Sequence, residues 1–314
     1  MWPLVLRGAA TRVAQPLGVA IARLELAPDH IGKPRSLDRL LVVRLAVVGH
    51  VEWIDFLRVS RVPAQGEIVH ASRGWGDAAG GGAVAAVQLA NLAGDAMLFT
   101  TFGADERGRH ARERLEAKQV RVFAREIDLP QRYGVTFVDN DGERTITVVG
   151  ERLTLRGDDP ELPWSELEQA DGVYFVSGDA ETVRQARKAR VLVAATRSLG
   201  VLQEAGVELD AIVGSDLDRG ERYERGDLDP PPRLVVRTEG ADGGTLEPGG
   251  HYDAVEPPGP IVDSYGCGDC FAAGLTYGLA AGMPLAEAVQ LAARCGATVL
   301  TGNGPYERQL VLGD

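Results

Sequence analysis

Five short runs, Arg44 to Val48, Gly172 to Val176, Val191 to Ala194, Ala211 to Val213 and Leu234 to Val236, are apolar without alternation. A strand apolar on both sides must be covered on both sides, which happens in parallel sheets flanked by helices. Between the runs lie polar stretches of helical period such as Ala180 to Ala189. The pattern is βα alternation and predicts an α/β fold: a doubly wound, mostly parallel sheet with helices on both faces. Gly82 to Leu92, Arg107 to Lys118, Cys270 to Ala281 and Leu285 to Leu300 supply further helices.

Other segments alternate polar and apolar residues. Ile68 to Ser72 is one; Gly134 to Val138 and Arg144 to Val149 flank Asp139-Asn140-Asp141-Gly142 and read as a hairpin. Alternating strands do not belong inside a parallel sheet. They predict a small antiparallel β lid drawn from about residues 52–75 and 131–150. The first confident strand, closed by Gly49, opens a single domain over residues 41–314. Residues 1–40 read as a loosely packed extension: Arg7, Arg12 and Arg23 among alanines and valines suggest a transit segment, but Glu25, Asp29 and Pro34 interrupt it.

Charge and cysteine usage narrow the partners. A net charge of −12 repels nucleic acid and anionic membrane, so any nucleotide must be met by a local device. No apolar run approaches the roughly 18 residues of a membrane span. Three cysteines are too few for a disulfide scaffold and point to a reducing cytoplasm, and the five histidines lack zinc-ligand spacing.

The segment Ile261 to Gly274, IVDSYGCGDCFAAG, carries the most chemistry. A turn with Gly266 and Gly268 runs into an alanine-rich helix, so the amides of Gly266, Cys267 and Gly268 can converge at a positive helix N-terminus. Asp269 sits inside this cradle, where it should stay ionised and accept a hydroxyl proton; the bland alternative is an N-cap aspartate. Two decoys are set aside. Gly74-Trp75-Gly76-Asp77-Ala78-Ala79 fits a dinucleotide pattern but follows no opening strand of a βαβ unit. Cys267 and Cys270 form a C-x-x-C without the second pair a zinc site needs; a thiolate at Cys267 and a small buried filler both remain open.

Asp263 with Gly266-Cys267-Gly268-Asp269 resembles the second signature of the ribokinase-like (PfkB) carbohydrate kinases. Gly80-Gly81 with the following alanine-rich helix, then Gly103-Ala104-Asp105-Glu106-Arg107-Gly108, is similar to the first. The resemblance spans about Arg44 to Pro305. It implies transfer of the γ-phosphoryl of ATP, with Mg²⁺, to a hydroxyl of a sugar, sugar derivative or nucleoside, Asp269 being the base and the Gly266 to Gly268 amides the anion hole. It further implies acceptor binding by Asp55, Gly80 and Gly81, and nucleotide binding at Thr238, Gly240 and Gly243. A monovalent cation, K⁺, is implied near Asp263, Tyr265, Leu300, Asn303 and Pro305, and lid strands that can pair two subunits into a homodimer. Three positions depart from the pattern. The family's sugar-binding asparagine falls on Ala85, its Asn-x-x-Glu motif becomes Ser215-Asp216-Leu217-Asp218, and an expected aspartate is replaced around Ala195-Thr196-Arg197. These departures favour a second reading, a sugar- or nucleotide-binding regulatory protein of the same fold; the intact Asp269 turn opposes it. No G-x-x-x-x-G-K-[ST] loop is present.

Overall fold

The computed structural model describes residues 43–312; the extension expected over residues 1–40 lies outside the described residues. In chain order the elements are β1 (Leu45–Val48), β2 (Glu52–Arg58), β3 (Arg73–Ala79), α1 (Gly81–Ala93), β4 (Ala96–Gly103), α2 (Glu106–Glu116), β5 (Val120–Ile127), β6 (Tyr133–Val138) and β7 (Arg144–Val149). There follow α3 (Ser165–Glu168), β8 (Gly172–Phe175), α4 (Ala180–Arg187), β9 (Val191–Ala195), α5 (Leu199–Ala205), β10 (Ala211–Ser215), β11 (Val235–Thr238), β12 (Gly244–Glu247), β13 (Gly250–Tyr252), α6 (Cys267–Ala280) and α7 (Leu285–Val299).

The apolar runs form a nine-stranded sheet ordered β13-β12-β11-β10-β9-β8-β1-β4-β5. It is parallel from β11 to β5, and β12 and β13 close one edge as an antiparallel pair. Strand alternation explains why the runs are apolar throughout. Leu45 and Val47 of β1 point into a core shared with α1, α6 and α7, while Ala46 and Val48 point into one shared with α4 and α5. Phe99 and Phe175 are fully buried in the latter, each contributing about 1.5–3 kcal/mol of transfer free energy.

A four-stranded sheet, β3-β2-β6-β7, makes the lid, with antiparallel outer pairings and a parallel centre of β2 on β6. Its strand β3 corrects the sequence reading. Ile68 to Ser72 is no strand and Ile68 is exposed; the lid strand is the Gly-Trp-Gly segment set aside as a nucleotide decoy. Its glycines disguise it. Gly76 is needed because a Cβ there would lie 2.6 Å from the Trp53 ring of β2. Ile54 and Phe56 turn the other way into a third core with Val84, Tyr265 and Cys270, which seats the lid on α1 and α6.

Candidate active site

Gly266 takes a left-handed φ of 83° and ends the turn; the helix begins at Cys267, three residues earlier than expected. Asp269 is therefore a first-turn carboxylate, not an N-cap. A Cβ on Gly268 would meet no atom within 4 Å, so the mouth of the cradle is open. The opposite wall is the start of α1: a Cβ on Gly81 would lie 2.7 Å from Asp269 Oδ1 and 2.9 Å from Val176 Cγ1. Gly80, with φ of 84°, donates its N–H to the Tyr265 hydroxyl at 3.2 Å. The two signatures meet here. A side chain at Gly81 would press directly on the carboxylate.

Burial pushes the Asp269 carboxyl up to about 6, and Arg144 pulls it partly back. Desolvation outweighs the nearby cation, yet the ionised form still prevails at neutral pH. Arg144 belongs to the lid and donates to the Ser264 carbonyl at 2.6 Å, just before the cradle. Ser264 N–H in turn donates to the Gly142 carbonyl at 3.1 Å. The Cys267 side chain is half-buried and its thiol is pushed up by desolvation, which disfavours the thiolate; Cys270 and Cys295 are buried.

Of the acceptor candidates, Gly80 and Gly81 stand beside Asp269, but Asp55 and Ala85 do not. Asp55 accepts Trp53 Nε1–H at 3.0 Å on the lid face opposite Ile54 and Phe56. Ala85 is fully buried in the core between β1 and α6. The carboxylate that does face the site is Glu52, three residues before Asp55 and on the other side of the strand. It is buried, its N lies 3.3 Å from where a Gly80 Cβ would be, and Arg132 Nε is 2.7 Å from its Oε1. Glu52, unlike Asp55, is among the charges acting on Asp269. His50 beside it donates or accepts with Ser177 Oγ at 3.1 Å and is pushed down to about 3 by burial and by Arg152, Arg132 and Arg197, so it stays neutral.

On the nucleotide side, Thr238 ends β11 and Gly240 and Gly243 shape the turn to β12, with φ of 64° and 85°. Gly243 has a packing reason too, because a Cβ there would lie 2.1 Å from the Tyr252 carbonyl. Ser215 ends β10, and Asp218 accepts the Gly220 N–H at 2.8 Å. The sequence reading passed over Glu221, three residues further on. Its Oε2 accepts the Ser215 N–H at 3.0 Å, its other oxygen pairs with Arg197, and its charge reaches Asp269. A third carboxylate spaced like Asp218 from Ser215 was the available signal.

The positions expected to hold K⁺ do not fit it. Both Asp263 oxygens accept backbone N–H groups, of Tyr265 at 2.9 Å and of Gly304 at 2.8 Å, and the Leu300 carbonyl accepts from Val262 and Asp263. Pro305 packs under Gly266 instead of opening a carbonyl ring. A cation is already there: the Arg58 guanidinium donates to the Asp139 and Val262 carbonyls, both at 3.0 Å, and to Asn303 Oδ1 at 3.2 Å, and its charge acts on Asp263. For Mg²⁺, no cluster of three or more protein ligands exists among the described residues. Asp218 and Glu221, within one loop, are the carboxylates that would orient the ion's water shell.

The pattern of the pfkB family carbohydrate kinases matches residues 43–202 and 207–310. The chain is 32% identical over 277 residues to an ATP-dependent ribose-1-phosphate kinase of Halopiger xanaduensis, covering 82% of this chain and 91% of the relative. It is 31% identical over 288 residues to a fructokinase of Klebsiella pneumoniae, covering 73% and 90%. The fold matches a ribokinase of Thermotoga maritima with TM-score 0.69 at 20% identity, over 84% of this chain and 94% of the other.

Proposed function

The chain belongs to the pfkB family of carbohydrate kinases, and from that premise we propose that it moves the γ-phosphoryl group of ATP onto a hydroxyl with Asp269 as general base. One of its relatives is named an ATP-dependent ribose-1-phosphate kinase and another a fructokinase, which supports ATP-dependent carbohydrate kinase activity. The observation that carries the finer reading is the apposition of Asp269 to Gly81 at the first turn of α6. A hydroxyl lying along the diglycine backbone would meet a carboxylate whose pKa, near 6, suits proton abstraction at neutral pH.

In-line transfer is mostly positioning and charge stabilisation. Asp269 accepts the hydroxyl proton as the oxygen attacks. The amides of Gly266, Cys267 and Gly268, at the positive end of α6, face the charge that develops on the migrating group. Arg144 reaches over this turn from the lid. Thr238, Gly240 and Gly243 bound the nucleotide, and Glu221 and Asp218 hold Arg197 near its phosphates. When bound, Mg²⁺ supplies neutralisation of the phosphate oxygens. Gly80, Gly81, His50 and Glu52 border the acceptor. One outer edge of the lid is β7, where Ile146, Val148 and Val149 are exposed, and pairing of two such edges would build a homodimer.

The test is ADP release with ATP-Mg²⁺ against a panel of sugars, sugar phosphates and nucleosides. Acceptor-dependent turnover is expected. ATP binding without turnover on any acceptor would favour the regulatory reading.

A further inference from the structure

The pairing of β2 with β3 ends at Ala79 and α1 begins at Gly81, so Gly80 belongs to neither ladder. A residue just before a helix has no carbonyl one turn back to receive its N–H. Gly80 is buried, where an N–H left without a partner is costly. The Tyr265 hydroxyl takes it at 3.2 Å, reaching across 185 positions of the chain.

Tyr265 is itself held at both ends. Its N–H donates to Asp263 Oδ1 at 2.9 Å, and the residue after it is Gly266, whose left-handed φ opens α6. Its ring is 7% exposed and stands edge-on to Phe56 of the lid, with centroids 5.1 Å apart and planes at 76°. Phe56 stacks in turn on Trp75 at 5.1 Å. A ring packed on this many sides has little freedom to swing. Two close approaches flank the Tyr265–Gly80 bond: a Cβ on Gly266 would lie 2.8 Å from Val84 Cγ1, and one on Gly81 would lie 2.7 Å from Asp269 Oδ1. The starts of α1 and α6 therefore face each other across a bare seam. Apolar contact across a seam tolerates sliding, whereas a hydrogen bond fixes both a length and a direction.

We propose that Tyr265 is a positioning residue for phosphoryl transfer, its hydroxyl setting the gap between the diglycine and Asp269 in which the acceptor hydroxyl lies. This rests on the reading of Asp269 as the base. Tyr265 acts through Gly80 and not by contact with the reacting atoms. Phenylalanine would fill the same space in the core, so it is the hydroxyl alone that separates a gauge from a filler. Because the ring also bears on Phe56, the gap is braced from the lid as well as from the catalytic turn.

The experiment compares the full chain with Tyr265→Phe, Gly81→Ala and the double variant, using ATP-Mg²⁺ and the best acceptor of the sugar, sugar phosphate and nucleoside panel. Tyr265→Phe is expected to lower kcat roughly 10-fold while the KM for ATP stays within about twofold, since a displacement well short of 1 Å suffices. In the Gly81→Ala background the same change should cost less than about threefold, because a diglycine freed from its tie can back away from the carboxylate. Losses that multiply in the double variant would give Tyr265 a packing role only and overturn the proposal. So would a kcat within about twofold of the wild type, or an acceptor KM that rises at unchanged kcat, which would make the hydroxyl a binding contact. Hydrogen exchange of the protein without ligands reads the tie apart from chemistry. The Gly80 amide and the first turn of α1 should exchange at least roughly 10-fold faster in Tyr265→Phe, with β4 unchanged. Unaltered exchange at Gly80 would overturn the tie itself. Faster exchange in a protein that turns over no acceptor would instead remove the kinase reading and leave the tie standing.

Discussion

Replacing Gly81 with alanine adds one methyl group at the most crowded point of the site. The new carbon would stand 2.7 Å from Asp269 Oδ1 and 2.9 Å from Val176 Cγ1, where non-bonded atoms settle at roughly 3.5 Å. The carboxylate must therefore retreat by roughly 0.8 Å, or α1 must shift by as much. Misplacement of a reacting group by about 1 Å costs on the order of 100-fold in rate, so a fall in kcat of roughly 30- to 100-fold is expected. The backbone itself does not object: Gly81 is the first residue of α1 and is not among the glycines of positive φ. Alanine there gains up to about 1 kcal/mol of helix propensity, which offsets part of the strain. The signature is thus lost turnover in a protein that melts within a few degrees of the wild type. Coupled ADP release at saturating ATP gives kcat, and thermal unfolding gives Tm. A kcat within threefold of the wild type would refute the apposition of the two signatures. A collapse of Tm would show that the helix took the strain and not the carboxylate.

Asp269→Asn should lower kcat by roughly two to four decades while nucleotide binding persists, as equilibrium titration with ATP would show. Because the folded-state pKa of Asp269 is raised from 3.8 to about 6, its contribution to stability is present below pH 4 and lost as pH rises through 6. Asp269→Asn should accordingly melt no lower than the wild type at pH 8, with any advantage shrinking toward pH 5; the opposite trend would mean the carboxylate is not desolvated. The same pKa predicts that turnover falls as pH drops below about 6, and Arg144→Gln should move that limb to higher pH by removing the charge that opposes desolvation. Turnover in Na⁺ should match turnover in K⁺ within about twofold, since the Arg58 guanidinium already bonds Asn303 and its charge acts on Asp263; Arg58→Ala should lower the rate and create a K⁺ requirement, and strong K⁺ activation of the wild type would refute this. Cys267→Ala and the wild type should lose activity equally slowly in mild peroxide, because a half-buried thiol of raised pKa yields little thiolate.

The layered α/β body was legible because its strands are buried on both faces, and composition alone records that. The lid was harder to see. Arg73 to Ala79 carries two glycines, one of them demanded by the Trp53 ring on the neighbouring strand, and a cross-strand clash is invisible to a reading of one segment. The cradle could be read because Gly266 to Asp269 is contiguous. The pair of Glu52 and Arg132 could not, for the two meet only when β2 and β6 come together. Asp55 shows the limit most sharply: counting an odd number of residues along a strand changes the face, so the carboxylate that reaches the site was a neighbour of the one chosen. Arg58 escaped notice because a cation supplied from the lid has no spacing relative to Asp263.

The lid hairpin does more than cover. Gly142 accepts from Ser264 N–H, and Arg144 grips the Ser264 carbonyl two residues ahead of Gly266, so the hairpin is tied to the same turn that presents the helix amides. The contacts that hold the hairpin down are thus the contacts that hold the catalytic turn in place, so loosening one loosens the other. Arg144→Gln is accordingly expected to raise the ratio of ATP hydrolysis to acceptor phosphorylation.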